Sequence, residues 1–204
     1  MDESVLKALQ RWPDVPAAYG WLSLGARGQW RLHPAGDAGQ ADSGEPITST
    51  QILAFIDRNY ESDAQGNWFF QNGPQRVYVH LDAAPFILRR ARENGGFETH
   101  TGVPVREIRQ WHLDSEGRLF AQTEHGAAIV DDRELGQVLT LLQTDAGTAL
   151  IDLLDQEDDT LDCTIRPSDG SLAAARITYM ADPDYATQLG FVRTPVAPPP
   201  RQED

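Results

Sequence analysis

Apolar positions along this chain fall into short runs of two different periods. The densest are Trp68-Phe69-Phe70 and Val77-Tyr78-Val79, which flank Asn72-Gly73-Pro74. Aromatic and β-branched residues on both sides of Asn-Gly predict a β-hairpin over residues 67–82, because a tight turn needs the positive φ that glycine and asparagine tolerate. Earlier, Val5, Leu6, Leu9 and Trp12 recur at helical spacing behind Asp2 and predict a helix over residues 3–11, ended by Pro13 and Pro16. Tyr19 to Leu24 and Gln29 to Leu32 predict a hairpin about Ala26-Arg27-Gly28, with Trp30 and Leu32 on one face of its second strand. Residues 34–46 are rich in Gly, Ala, Asp and Pro and predict a loop. Thr48 and Gln51 fit a capping box ahead of Ile52, Leu53, Phe55, Ile56 and Tyr60, which predicts a helix over residues 50–60. Strands are expected over residues 85–91 and 97–101, joined by a turn at Asn94-Gly95-Gly96.

The second half echoes the first. Residues 63–79 and 114–130 align without gaps at an offset of 51, with identities Asp63/Asp114, Gly66/Gly117, Phe69/Phe120, Gln71/Gln122 and Val79/Val130. Five matches exceed the roughly one expected by chance and support a duplicated hairpin. A D-x-x-G turn used twice for its backbone geometry is the alternative. Beyond it, Leu135, Val138, Leu139 and Leu142 predict a helix over residues 133–143, capped by Asp131 or Asp132. Residues 149–154 fit either a short helix or a buried strand. After an acidic connector, Leu161, Cys163 and Ile165 alternate with polar residues and pair with residues 172–180 about Asp169-Gly170. Asp182-Pro183 begins a last helical turn through Gln188. The expected fold is α+β: two small units of antiparallel hairpins or meander, each packed with one helix, with an internal duplication. Their expected limits are 1–101 and 102–192, followed by a disordered Pro-rich tail at 193–204.

Charge narrows the function classes. A formal net charge of −14 and a pI near 4.6 oppose binding to nucleic acid or to an anionic membrane surface. Lys7 is the only lysine among 17 basic residues, which reflects compositional bias towards arginine more than selection for anion contacts. A local basic patch is still open, since Arg89, Arg90 and Arg92 cluster, as do Arg106 and Arg109. With Cys163 alone, neither an intrachain disulfide nor a cysteine zinc cage can form. The N-terminus opens Met1-Asp2-Glu3, without the basic and apolar regions of a signal peptide. No apolar run approaches the roughly 18–20 residues of a membrane span. A cytoplasmic address, off the membrane, is the expectation.

Two constellations invite a chemical reading. His80-Leu81-Asp82 recurs as His112-Leu113-Asp114, and residues i and i+2 of a strand share a face, so each segment could aim an imidazole and a carboxylate at one site. Together they would ligate a metal or act as an acid–base pair. Against this, His80 aligns with Asp131 in the repeat rather than with His112, and both aspartates abut turns, where they serve the backbone. The second set lies at the central turn: Trp68, Gln71, Asn72, Gln75, Arg76 and Tyr78, aromatic and amide groups suited to an anionic or amide-bearing ligand or a protein partner. Asp152, Asp155, Glu157, Asp158, Asp159 and Asp162 lack the register of a calcium loop and read as a solvated connector. Cys163 reads as buried and inert.

Tyr19-Gly20-Trp21-Leu22, Phe55-Ile56-x-Arg58-Asn59-Tyr60, the run from Trp68 to Val79, and Gly190-Phe191-Val192-Arg193 with the proline tail resemble a family of proteobacterial proteins of unknown function, over nearly the whole chain. More loosely, Trp68 through Val79, Leu81-Asp82 and Ala84-Pro85-Phe86 are similar to a second uncharacterised bacterial family. That likeness implies two small α+β units with repeated motifs and a role suggested to lie in signal transduction. Neither resemblance brings catalytic residues or a cofactor. The expected function is a non-enzymatic regulatory module binding an unknown small ligand or protein partner through the central-turn set; the alternative is a His/Asp-dependent hydrolase or metal enzyme using His80, Asp82, His112 and Asp114.

Overall fold

Both periods of the sequence appear as regular structure. The computed structural model describes residues 1–40, 44–92, 95–154, 161–180 and 184–199. Helix α1 (Glu3–Arg11) precedes strands β1 (Ala18–Leu24), β2 (Trp30–Leu32) and β3 (Glu45–Pro46). Helix α2 (Thr50–Arg58) then leads to β4 (Tyr60–Ser62), β5 (Trp68–Asn72) and β6 (Gln75–Leu81). These strands form one sheet in the order β3-β2-β1-β6-β5-β4. The helix caps differ in detail from expectation. Ser49, not Thr48, caps α2 by accepting from the Ile52 N–H, and the Asp2 carboxylate receives Arg58 at 3.2 Å instead of capping α1. Of the apolar residues expected on one face of α1, Val5 is buried while Leu6 and Trp12 are exposed.

A second sheet contains β7 (Phe86–Arg90), β8 (Phe97–Thr99), β9 (Pro104–Val105), β10 (Ile108–Asp114), β11 (Leu119–Thr123) and β12 (Gly126–Val130). Helix α3 (Leu135–Leu141), β13 (Leu142–Thr144), helix α4 (Leu150–Leu154), β14 (Asp162–Pro167), β15 (Ala175–Met180) and helix α5 (Tyr185–Gln188) complete the order. Contacts divide the chain into one unit of residues 1–25, 29–83 and the segment from Phe191, and another of residues 26–28 and 84–190. The expected limit at 101/102 thus moves to 83/84. The reason is a non-local pairing: β7 runs parallel to β12, and β8 pairs with β7, so both join the second sheet. Residues 193–195, expected in a disordered tail, pack on the first unit, where the Leu81 N–H donates to the Arg193 carbonyl at 2.8 Å and Pro195 is buried. The expected cap at Asp182-Pro183, and Asp155, Glu157, Asp158 and Asp159 of the connector, fall outside the described residues.

The hairpin echo extends to a whole sheet. The order β3-β2-β1-β6-β5-β4 recurs as β9-β8-β7-β12-β11-β10, with β1–β6 and β7–β12 parallel and the remaining pairs antiparallel. Register repeats as well: Phe69 faces Tyr78 as Phe120 faces Ile129, and Tyr60 faces Phe70 as Trp111 faces Ala121. Even the turn is the same. The Asp63 carboxylate accepts from the N–H groups of Gln65 and Asn67, and the Asp114 carboxylate from those of Glu116 and Arg118. Turn geometry alone would not reproduce five strand pairings in the same order and sense, so the duplication reading is the stronger one.

The copies diverge in their helices. In the first, the link from β3 to β4 carries α2; in the second, β9 reaches β10 through Arg106-Glu107 alone. The second unit instead adds α3, α4, α5 and the strands β15-β14-β13 beside β10. Equivalent aromatic contacts survive in both cores: Trp30 meets Tyr60 edge-on at 5.1 Å, and Phe97 meets Trp111 at 5.9 Å. Such contacts contribute about 0.5–1.5 kcal/mol beyond the area they bury.

Candidate functional site

The six residues of the central-turn set do not form one site, because a strand sends alternate side chains to opposite faces. The pairs Phe70–Val77 and Asn72–Gln75 put Trp68, Asn72 and Gln75 on the α2 side of the sheet. Phe69–Tyr78 and Gln71–Arg76 occupy the other side. There Tyr78 stacks on Tyr19 at 4.6 Å and donates its hydroxyl to the Asp63 carboxylate at 3.1 Å. Arg76 lies over the Phe69 ring at 4.4 Å, and the buried Gln71 donates its amide to the Gly73 carbonyl at 3.0 Å. On the α2 side Trp68 is buried against Tyr60. Asn72 and Gln75 stand at the end of the strands, beside a groove.

That groove runs between α2 and the first sheet and holds about 390 Å³. Its floor is Leu22, Ile56 and Phe70, all buried. Trp21, Leu32 and Ile52 form its walls and are 46%, 43% and 51% exposed. Local sequence explains how Trp21 comes to be there. The β1–β6 register shifts between Ala18 and Leu22, and Gly20 takes φ +77° within the shift. A Cβ on Gly20 would stand 2.4 Å from the Gly36 carbonyl oxygen, so this bulge needs glycine. As a result the consecutive residues Trp21 and Leu22 both line the groove, which strict alternation would forbid. Asn72 and Gln75 supply polar groups at one end; the Gln75 amide nitrogen is fixed on the Pro16 carbonyl at 3.0 Å.

The two His-Leu-Asp segments occupy different sheets. His80 lies on β6 with Nδ1 at 3.0 Å from the Thr194 hydroxyl and Nε2 at 3.4 Å from Asp82. His112 lies on β10, bonded through Nδ1 to Thr178 at 3.2 Å, and burial lowers its pKa. Asp114 does not join it. Its carboxylate closes the β10–β11 turn and receives Arg118 Nε at 2.6 Å. Among the described residues no group of three or more His, Cys, Asp or Glu is placed to hold a metal ion.

One constellation had no sequence signal. Ser23 Oγ lies 2.8 Å from His33 Nε2, and His33 Nδ1 lies 3.5 Å from Asp37. These are the parts of a hydrolytic triad. Ser23 and His33 are however only 3% and 2% exposed, and a Cβ on Gly44 would come within 2.5 Å of the imidazole. The hydroxyl is closed off from substrate, and the three residues tie the loop after β2 to β1.

A model of the family described as "Protein of unknown function (DUF2946)" matches residues 1–196. The chain belongs to this family. No curated protein matches it. Two solved structures do, both of DUF1285 family proteins. The one from Silicibacter pomeroyi DSS-3 is 13% identical with a TM-score of 0.46, covering 73% of this chain and 98% of its own. The one from Shewanella baltica OS155 is 13% identical with a TM-score of 0.40, covering 58% and 90%. Among the described residues no helix of this family member is long and apolar enough to cross a membrane.

Proposed function

We propose that this protein is a non-enzymatic binding module whose first unit takes a small apolar molecule with a polar end into the α2 groove. One observation carries the reading. Three large apolar side chains, Trp21, Leu32 and Ile52, stay about half exposed and converge on a single concavity with a buried apolar floor. Scattered exposed hydrophobics need no explanation, but a converging set marks a binding surface. A volume of about 390 Å³ lies within the range of small-molecule sites, and the amides of Asn72 and Gln75 would orient the ligand's polar end. The groove is walled by α2, which has no counterpart between β9 and β10, so ligand binding would distinguish two otherwise equivalent sheets. A regulatory role in a cytoplasmic setting, off membranes and nucleic acid, fits this reading.

Prodan, a neutral naphthalene dye with a carbonyl end, tests it by its rise in fluorescence on entering an apolar site. Ile52 is 51% exposed, so Ile52→Glu should leave the melting temperature within about 2 °C of wild type. The same variant should weaken prodan binding at least about tenfold, since a carboxylate would enter an apolar groove. Equal binding by the variant, or no saturable binding by the wild type, would refute the groove as the site.

A further inference from the structure

The second unit has a pocket of its own, and its chemistry is the opposite of the groove's. It holds about 520 Å³ and is lined by Arg92, Phe97, Glu98, Pro104, Val105 and Arg106 together with glycines 95 and 96. The duplication explains its origin. Phe97 faces Val105 across β8–β9, the place taken in the first sheet by Trp30 and Ile47, which are joined by a backbone hydrogen bond. After Ile47 the first copy continues into α2, whereas after Val105 the second runs straight into β10. The two basic clusters of the sequence, one at residues 89–92 and one at 106–109, thereby each send one arginine to the same concavity.

Those two arginines are set apart from the other described arginines of the second unit. Arg27, Arg89, Arg90, Arg118, Arg133 and Arg176 each grip a carboxylate. Among the described residues, Arg92 and Arg106 have no ion pair or side-chain hydrogen bond; only the Arg106 backbone N–H is engaged, by Glu124. In a chain of net charge −14, two guanidinium groups without a carboxylate that share one pocket raise its local positive potential. A third guanidinium is close. Arg90 lies over Phe97 at 4.9 Å, pairs with Asp169 through Nη2, and has Nη1 buried with no hydrogen-bond partner.

We propose that this pocket binds a small organic oxyanion, with Arg92 and Arg106 taking its carboxylate or phosphate group. A bare inorganic ion would leave most of 520 Å³ unfilled, so the ligand has an organic body. Phe97, Pro104 and Val105 offer that body an apolar wall. Glu98, the acidic lining residue, requires that the ligand also carry a hydroxyl or amino donor. A hydroxylated acid or a sugar phosphate has this combination.

Isothermal titration of the full chain with glucose 6-phosphate, citrate, inorganic phosphate and glucose tests the assignment. Glucose 6-phosphate or citrate should bind saturably, with affinity falling as salt rises, and whichever binds identifies phosphate or carboxylate as the head group. Arg92→Gln and Arg106→Gln should each weaken that binding about tenfold or more, and the double variant should abolish it. Arg109→Gln, an exposed arginine paired with Glu107 outside the pocket, should bind as wild type. Because Arg92 and Arg106 are exposed, unchanged melting temperatures will show that the variants fold. No saturable binding of any of the anions up to about 10 mM, which corresponds to a standard free energy near −2.7 kcal/mol, would overturn the proposal. Undiminished binding by the double variant would overturn it as well, and inorganic phosphate binding as tightly as glucose 6-phosphate would remove the organic body.

Discussion

Asp131 gives the sharpest test of how the second unit is held together. It follows β12, is 1% exposed, and accepts from Arg133 Nε at 2.9 Å, from the Arg133 backbone N–H at 3.2 Å and from Arg89 Nε at 3.1 Å. Asp131→Asn keeps the volume but puts an amide donor where one acceptor oxygen stood. The Arg133 side chain is 56% exposed, so losing its pair costs under about 1 kcal/mol after solvent screening. The half-buried Arg89 bond is worth about 1.5–2 kcal/mol, and the donor left facing a donor adds about 1 kcal/mol. The expected loss is about 3 kcal/mol, or about a hundredfold in the opening equilibrium. Arg133 first, then its backbone N–H and Arg89, hold the Asp131 carboxyl well below 3.8 against the opposing effect of burial. A carboxyl with a depressed folded pKa stabilises fully above its unfolded value and loses that stability as pH falls through the folded one. The difference between wild type and variant should therefore stay constant from about pH 5 to 8 and shrink below about pH 4. Amide exchange on β7, β11 and β12 reads it locally, without assuming that both units unfold together. Exchange accelerated less than about fivefold, or as much by Arg133→Gln as by Asp131→Asn, would refute the reasoning.

Two further outcomes follow from the same structure. Gly44 and Gly117 both have positive φ, +89° and +74°, but a Cβ meets the His33 ring at 2.5 Å in the first and nothing within 4 Å in the second. Gly117→Ala should cost about 1–2 kcal/mol and Gly44→Ala at least about 3 kcal/mol by urea unfolding, since only the latter adds a clash to backbone strain. Equal costs would show that the loop after β2 yields freely. His100 is pushed down to about 3 by burial and then by the charge of Arg89, while its Nδ1 accepts from the Ile87 N–H at 3.3 Å. The unfolded chain therefore takes up this proton first on acidification, and the second unit should lose stability between pH 6.5 and about 3 with a slope up to about 1.4 kcal/mol per pH unit. In His100→Gln that part of the slope should vanish; an unchanged slope would assign it elsewhere.

Much of the framework is legible along the chain because it depends on neighbours. Residues 3–11 and the 68–81 hairpin follow from local period and from Asn72-Gly73, and the Asp63 and Asp114 turns from a four-residue motif. Parallel pairing is different. Nothing in residues 85–91 states that they lie beside residues 126–130, so the unit limit was displaced. Local propensity also left residues 149–154 undecided; Leu150–Leu154 form helix α4, while Ala149 bridges to Gln143. The candidate site was legible only at one end. Asn72 and Gln75 were visible because they flank a turn, but Gln71, Arg76 and Tyr78 alternate to the opposite face. Trp21, Leu32 and Ile52 come from three separate segments, joined only by the β1–β2 and β1–β6 pairings and by α2 packing on Phe70. Ser23, His33 and Asp37 converge for the same non-local reason.

The groove itself is tested most directly by a ¹⁵N–¹H nuclear magnetic resonance titration of the full chain with prodan. The account predicts saturable shifts at the Trp21 indole, the Asn72 and Gln75 side-chain amides and the backbone of Ile52, while residues of β10 to β12 stay unmoved. Shifts confined to the second unit, or none at the Trp21 indole at saturation, would contradict it.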